Sequence, residues 1–242
     1  MTSTKLYLGE IRIGGADQPA IISSSTASST TNVTIGSDSY VVYKFTGAGS
    51  VTISSGGVLD ALVQGGGGAG NVVDGAGGAG GGGGQVERTS LYIPEGTWPI
   101  RVGTGTATYL SMSHPAGTSE FYGIASVGGA PGAQYRDRMC GGGACGSSYS
   151  NSGIGAPSSG MYYQGRIGAQ MRGGNCDSRN GAAGGVAGDG NGVGYNPGSQ
   201  WGSPGELGCG GNAGKPMTAN TGNGGNNGTS GNSGIVLIRV KV

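Results

Sequence analysis

Charged residues and histidine are scarce in this sequence, and their scarcity excludes several classes of function. Only 10% of the 242 residues are charged, and the formal net charge is +1. The chain therefore lacks the basic surface with which proteins bind nucleic acid or anionic membranes. The single histidine, His114, stands before Pro115 in a segment typical of a turn. We therefore interpret His114 as a turn residue rather than a general base. No pair of carboxylates stands out either, so we predict that the protein is not an enzyme.

Long apolar runs and regularly spaced cysteines are also lacking. No apolar run is long enough to cross a bilayer, and the start of the chain lacks the hydrophobic stretch of a secretory signal. We expect no membrane insertion, no metal and no cofactor. The irregular cysteine spacing favours small side chains that fill gaps in the packing, with a disulfide or a four-thiolate zinc site as alternatives. The cysteines are Cys140, Cys145, Cys176 and Cys209.

What the sequence has in excess is glycine, with 60 glycines and 9 prolines. Each glycine in a helix interior costs about 1 kcal/mol relative to alanine, so we expect almost no α-helix. Short runs of β-branched, aromatic and aliphatic residues between glycine and serine turns predict antiparallel strands instead. They include Tyr40–Phe45, Val51–Ile53, Val58–Val63, Val86–Ile93 and a final strand with Val236, Ile238 and Val240 on one face.

The block Gly65–Gly84 predicts a second kind of structure. A glycine run with three residues per turn has no internal hydrogen bonds, so its amides and carbonyls point outward and need partners in neighbouring rods. Ala76 and Ala79 would share the roomier edge of such a rod. We therefore predict a mostly β fold in which antiparallel, sandwich-like strands frame a polyglycine II sector.

Composition also indicates how the chain is organised. Ile21–Thr30 is mostly serine, threonine and alanine, which suits a linker better than a core. We place a boundary near Thr30, between a small N-terminal segment, residues 1–30, and a glycine-rich β and polyglycine II domain, residues 31–242. Variable loops are expected at residues 123–234.

Those loops hold the strongest functional signal in the sequence. They concentrate tyrosine, tryptophan and arginine among glycine, serine and asparagine, a composition typical of binding hot spots and antibody paratopes. The alternative is that the aromatic residues cap rod ends or lie at subunit contacts. The candidate binding residues are Tyr135, Arg136, Arg138, Tyr149, Tyr162, Tyr163, Arg166, Arg172, Tyr195 and Trp201.

Several of these segments together resemble a known family. Val42–Ile53, Val58–Gly68, Pro99–Gly103 and Gly234–Val240 are similar to the glycine-rich domain common in phage tail proteins. Lys5–Glu10 resembles the N-termini of phage tail and fibre proteins. The alternation of glycine runs and richer loops is similar to the tail-fibre tip adhesins of T-even-like phages.

The resemblance implies a function. It implies a virion tail or tail-fibre protein, assembled in the host cytoplasm, that binds a host surface receptor through loops on a glycine-rich scaffold. Residues 1–30 would then be an attachment segment. The implied partners are other tail or fibre proteins, an outer-membrane protein or glycan as receptor, and further copies of the chain in a homo-oligomer. A purely structural tail or capsid-decoration protein is the first alternative, and a receptor-degrading depolymerase is the second.

Overall fold

Strands account for most of the regular structure in the computed structural model, which describes residues 5–7, 10–12, 18–70, 86–107, 116–129, 194–209, 219–225 and 228–242. No α-helix occurs within these ranges, and the regular non-strand element is a 3-10 turn at Ser199–Trp201. The strands are β1 Lys5–Tyr7, β2 Glu10–Arg12, β3 Ile21–Ser25, β4 Ser29–Ile35, β5 Asp38–Phe45, β6 Gly49–Ser55, β7 Gly57–Gln64, β8 Val86–Ile93, β9 Gly96–Arg101, β10 Ser119–Phe121, β11 Ile124–Ser126 and β12 Ile235–Lys241.

Ten of these strands form two five-stranded antiparallel sheets that are not closed into a barrel. Sheet one has the order β4-β5-β12-β7-β8, and sheet two has the order β11-β10-β9-β6-β3. Strands β1 and β2 pair separately. The final strand, β12, lies in the middle of sheet one between β5 and β7.

The main core lies between the two sheets. Sheet one contributes Phe45, Val63 and Ile238, and sheet two contributes Ile53 and Phe121, all 1% exposed or less. Their alternation with outward-facing neighbours follows from the two-residue period of a strand. The predicted sandwich-like, mostly β fold is confirmed.

A second apolar cluster covers the outer face of sheet one. Val42, Leu62 and Leu237 point away from the main core and pack with Trp201 and Leu207. Sheet one is therefore buried on both faces where residues 194–209 cross it.

Ile21–Thr30 forms strands rather than the predicted linker. It contains β3, which pairs with β6, and the first residues of β4, which pairs with β5 and runs through Thr30 without interruption. Both are edge strands, one in each sheet. An edge strand is hydrated on one side, so it tolerates the serine and threonine content that suggested a linker.

The glycine-rich sector is a bundle of extended segments beyond the ends of the sheets. We call it the glycine lattice. Its central segment, residues 65–70, continues β7 and is buried throughout. The surrounding segments are residues 102–107, 116–118, 127–129, 207–209, 221–225 and 228–234.

The central segment exchanges backbone hydrogen bonds with five neighbouring segments, whereas a β-strand has at most two neighbours in its sheet. Outward-pointing amides and carbonyls of packed three-per-turn rods produce this pattern. The bonds are Gly66 N to Gly117 O, 3.0 Å; Gly67 N to Asn232 O, 2.8 Å; Thr106 N to Gly67 O, 3.1 Å; Gly225 N to Gly68 O, 2.7 Å; and Gly129 N to Gly66 O, 2.7 Å. The predicted polyglycine II arrangement is therefore present at residues 65–70, whereas residues 71–84, including Ala76 and Ala79, lie outside the described ranges.

Glycine is required here because the backbones approach too closely for side chains. A Cβ on Gly67 would lie inside the van der Waals envelope of the Asn223 carbonyl, and a Cβ on Gly231 would meet the Gly67 carbonyl in the same way. Hydrogen bonds between backbones thus hold together a region in which apolar side chains are few.

Candidate functional site

Two of the described lattice segments meet at the side of the lattice far from the sheets, which we call the far end. The central segment leaves sheet one at Gln64 and runs to Gly70, so Gly70 marks the far end. There its amide donates to the carbonyl of Thr229 at 2.8 Å. Because residues 228–234 run back toward β12, Thr229 lies at the far end too.

Hydrogen bonds place the other segments at different levels along the central one. Gly225 N donates to Gly68 O at 2.7 Å, and the neighbouring Gly224 N donates to Cys209 O at 2.7 Å. Segment 102–107 lies beside Gly67, whose carbonyl accepts from Thr106 N, whereas Gly129 N donates to Gly66 O, close to the sheets.

Most of the predicted binding residues lie in the sequence between Gly129 and Gly194. Residues 130–193 connect Gly129 to Gly194 and lie outside the described ranges. They contain eight of the ten candidates, namely Tyr135, Arg136, Arg138, Tyr149, Tyr162, Tyr163, Arg166 and Arg172. Their role in binding stays a prediction.

Tyr195 lies directly after that stretch and is half-buried. Its backbone pairs with Leu207 through two 2.8 Å hydrogen bonds, which places it beside the outer apolar cluster. Its hydroxyl accepts a 3.0 Å hydrogen bond from Nη1 of Arg88 on β8. Tyr195 is therefore fastened to sheet one.

Trp201 is a buried side chain, which corrects its assignment to a binding surface. It is 2% exposed and packs in the outer cluster against sheet one. The ring belongs to the last residue of the 3-10 turn at Ser199–Trp201, which places it against the sheet. Burial of so large an aromatic ring stabilises the fold, and it removes the ring from direct contact with a partner.

An ion pair that the sequence did not predict lies on the outer face of sheet one. Arg239 of β12 lies beside Asp60 of β7, with Nη2 2.5 Å from Oδ2. The guanidinium carbon is 4.6 Å from the Trp201 ring centroid and 5.1 Å from that of Tyr40, within the range of cation–π attraction. Single charges within otherwise apolar strands are the signal that could have found this pair.

An open groove of about 190 Å³ runs beside this ion pair. Asp60 also accepts a hydrogen bond from the Ser90 hydroxyl. Its negative charge is compensated by Arg239, so the groove is a polar surface feature with no evident acid–base chemistry. The lining residues are Pro19, Tyr40, Val58, Leu59, Asp60, Arg239 and Lys241.

The described part of the chain holds neither a candidate metal cluster nor a candidate membrane-spanning helix. No group of three or more histidine, cysteine, aspartate or glutamate side chains within it could hold a metal ion. No helix in the same residues is long and apolar enough to cross a membrane. Cys209 is 1% exposed inside the lattice, and its amide donates to Oδ1 of Asn223 at 2.9 Å. Cys140, Cys145 and Cys176 lie outside the described ranges.

The chain matches the model of a known protein family. Residues 44–241 match the family model described as a glycine-rich domain. The matched region extends from β5 to the end of β12 and so includes the lattice. A comparison with curated proteins finds no match.

Proposed function

The chain belongs to the glycine-rich domain family, and from this premise we propose that it is a phage tail or tail-fibre protein that binds a host surface receptor. The resemblance of its strand and glycine segments to phage tail proteins supports the proposal. The receptor would be an outer-membrane protein or a glycan, contacted through residues 130–193, which follow lattice segment 127–129 in the sequence.

The observation that carries the proposal is the hydrogen-bonded lattice, in which the central segment bonds to five neighbouring segments. Residues 130–193, which follow lattice segment 127–129 in the sequence, carry eight of the ten predicted binding residues. A scaffold with this topology can present several different sequences at one surface, as binding to a receptor requires.

The lattice also suits this role energetically. Binding costs free energy whenever side chains and loops must be ordered at the interface. Segment ends held by backbone hydrogen bonds of 2.7 to 2.8 Å, such as those of Gly225 and Gly70, are fixed before any partner arrives. Preorganised ends reduce that cost, and tyrosine adds contact area with few rotatable bonds.

Competition with phage adsorption tests the proposal. Purified protein should block adsorption to host cells, and Tyr162→Ala with Tyr163→Ala should weaken that block by more than about 1 kcal/mol, roughly fivefold in concentration. Tyr92→Ala is the matched control, because Tyr92 is 36% exposed on β8, away from the far end of the lattice.

The same experiment separates the alternatives. A protein that blocks nothing and lies between other subunits of the virion would be structural, and the proposal would be wrong. Release of fragments from a purified host receptor would instead indicate a depolymerase.

A further inference from the structure

Within the described residues, the β4 edge of sheet one lacks the protection that the other edges of the two five-stranded sheets have. Strand β4 is seven residues long and contains no charge, proline or glycine. Natural sheets protect their edges with charges, bulges or short strands. At the remaining edges, β3 has register shifts against β6, β11 has three residues, and β8 carries Glu87 and Arg88.

The backbone of β4 offers hydrogen-bonding groups to a further strand. Val242 N donates to Ser39 O at 3.0 Å, so the backbone groups of Ser39 face away from β4. Its partner Thr34 must then direct its own amide and carbonyl away from β5. The same holds for Asn32 and Thr30, at intervals of two residues. All three are exposed, and their amides have no partner among the described residues.

We propose that β4 is a dimerisation strand that pairs antiparallel with β4 of a second copy of this chain, about a two-fold axis at Asn32. The two copies of sheet one would then form one continuous sheet. In this register Thr30 lies opposite the partner's Thr34, and Asn32 lies opposite its own counterpart. Each outward amide would meet a carbonyl of the other copy.

Charge and symmetry favour a second copy of this chain as the partner that pairs with β4. A symmetric antiparallel pair places a strand opposite itself, so a charge at its centre would face an identical charge. Strand β4 is uncharged along its whole length, which removes this repulsion. Two-fold dimers are also the commonest closed assemblies of soluble proteins. The inference concerns assembly and does not depend on the receptor-binding proposal.

Analytical ultracentrifugation over a dilution series tests the pairing. The wild type should dimerise, whereas Asn32→Pro should weaken dimerisation by about tenfold or more, because proline removes an outward amide that the fold itself does not use. Asn32→Ala is the matched control, since it changes the same side chain but keeps the amide. It should dimerise within about threefold of the wild type.

If circular dichroism shows that Asn32→Pro does not fold, a series of charge substitutions tests the pairing instead. Thr30→Lys with Thr34→Lys should abolish the dimer by placing lysine opposite lysine, and Thr30→Glu with Thr34→Lys should restore it. A wild type that stays monomeric throughout, including one whose β4 pairs with another protein, would overturn the proposal. So would a folded Asn32→Pro variant, or a double-lysine variant, that dimerises as tightly as the wild type.

Discussion

Arg239 holds Asp60 through two nitrogens, with Nη2 2.5 Å and Nε 3.0 Å from Oδ2, although 179 positions separate the two residues in the chain. The pair joins the central strand β12 to β7. Nη1 of the same guanidinium donates to the Gln200 carbonyl at 3.0 Å, which fastens the 3-10 turn to the sheet. One arginine therefore connects two strands and the segment that covers them.

Removal of the carboxylate should destabilise the fold. The two side chains are only 13% and 22% exposed, so Asp60→Ala would leave a largely buried cation without its partner. We expect the free energy of unfolding, measured by urea denaturation, to fall by about 2 kcal/mol. Glu120→Ala is the control, because it breaks the exposed 3.4 Å pair with Arg101 and should cost less than about 0.5 kcal/mol. Equal losses would show that burial of the first pair contributes nothing.

Trp201 should matter for stability rather than for direct binding. Trp201→Ala would leave a large cavity over sheet one and remove the ring on which Arg239 stacks. We expect a loss of about 3 to 5 kcal/mol in the free energy of unfolding. Trp201→Phe should lose less, because part of the ring remains. If Trp201→Ala melted like the wild type, the ring would not have the packing role that its burial indicates.

Gly67 tests the close packing of the lattice. Gly67→Ala places a methyl group against the Asn223 carbonyl, so neighbouring backbones must separate, and we expect a loss of about 1 to 3 kcal/mol. Gly47→Ala is the matched control, because its Cβ would meet nothing within 4 Å. The midpoint of thermal unfolding should fall for the first variant only. Similar midpoints for both would contradict a packed glycine lattice.

Stability should decline at alkaline pH. Burial raises the pKa of the Tyr43 hydroxyl above its ordinary 10.0, and the hydrogen bond to Asp38 raises the pKa of the Lys241 ammonium above 10.5. A pKa that is higher in the folded state adds stability that is present below the unfolded-state value and is lost as pH rises through the folded-state value. The free energy of unfolding should therefore fall above about pH 10.

Two variants separate these contributions. Tyr43→Phe and Lys241→Met should each make the alkaline fall in urea-denaturation stability shallower. An unchanged pH profile in both variants would assign the fall to other groups.

Much of the sheet structure follows from local patterns. The alternation in β12 places Val236, Ile238 and Val240 on the core side and Arg239 on the other, as the sequence predicts. Strand character at Tyr40–Phe45 and Val58–Val63 is likewise confirmed in β5 and β7. Glycine content predicted both the lack of α-helix among the described residues and the hydrogen-bonded rods, because it limits which backbone conformations and contact distances are accessible.

Other features depend on which segments become neighbours. Ile21–Thr30 looks like a linker until β5 and β6 pair with it, and Trp201 looks like a surface residue until it meets sheet one. The packing of the lattice segments likewise depends on hydrogen bonds such as Gly70 N to Thr229 O, which join distant parts of the chain. The period of each strand and the positions of the glycines can be read from the sequence alone, because both are local properties. Only the tertiary structure decided burial and edge position, because these depend on contacts between segments far apart in the chain.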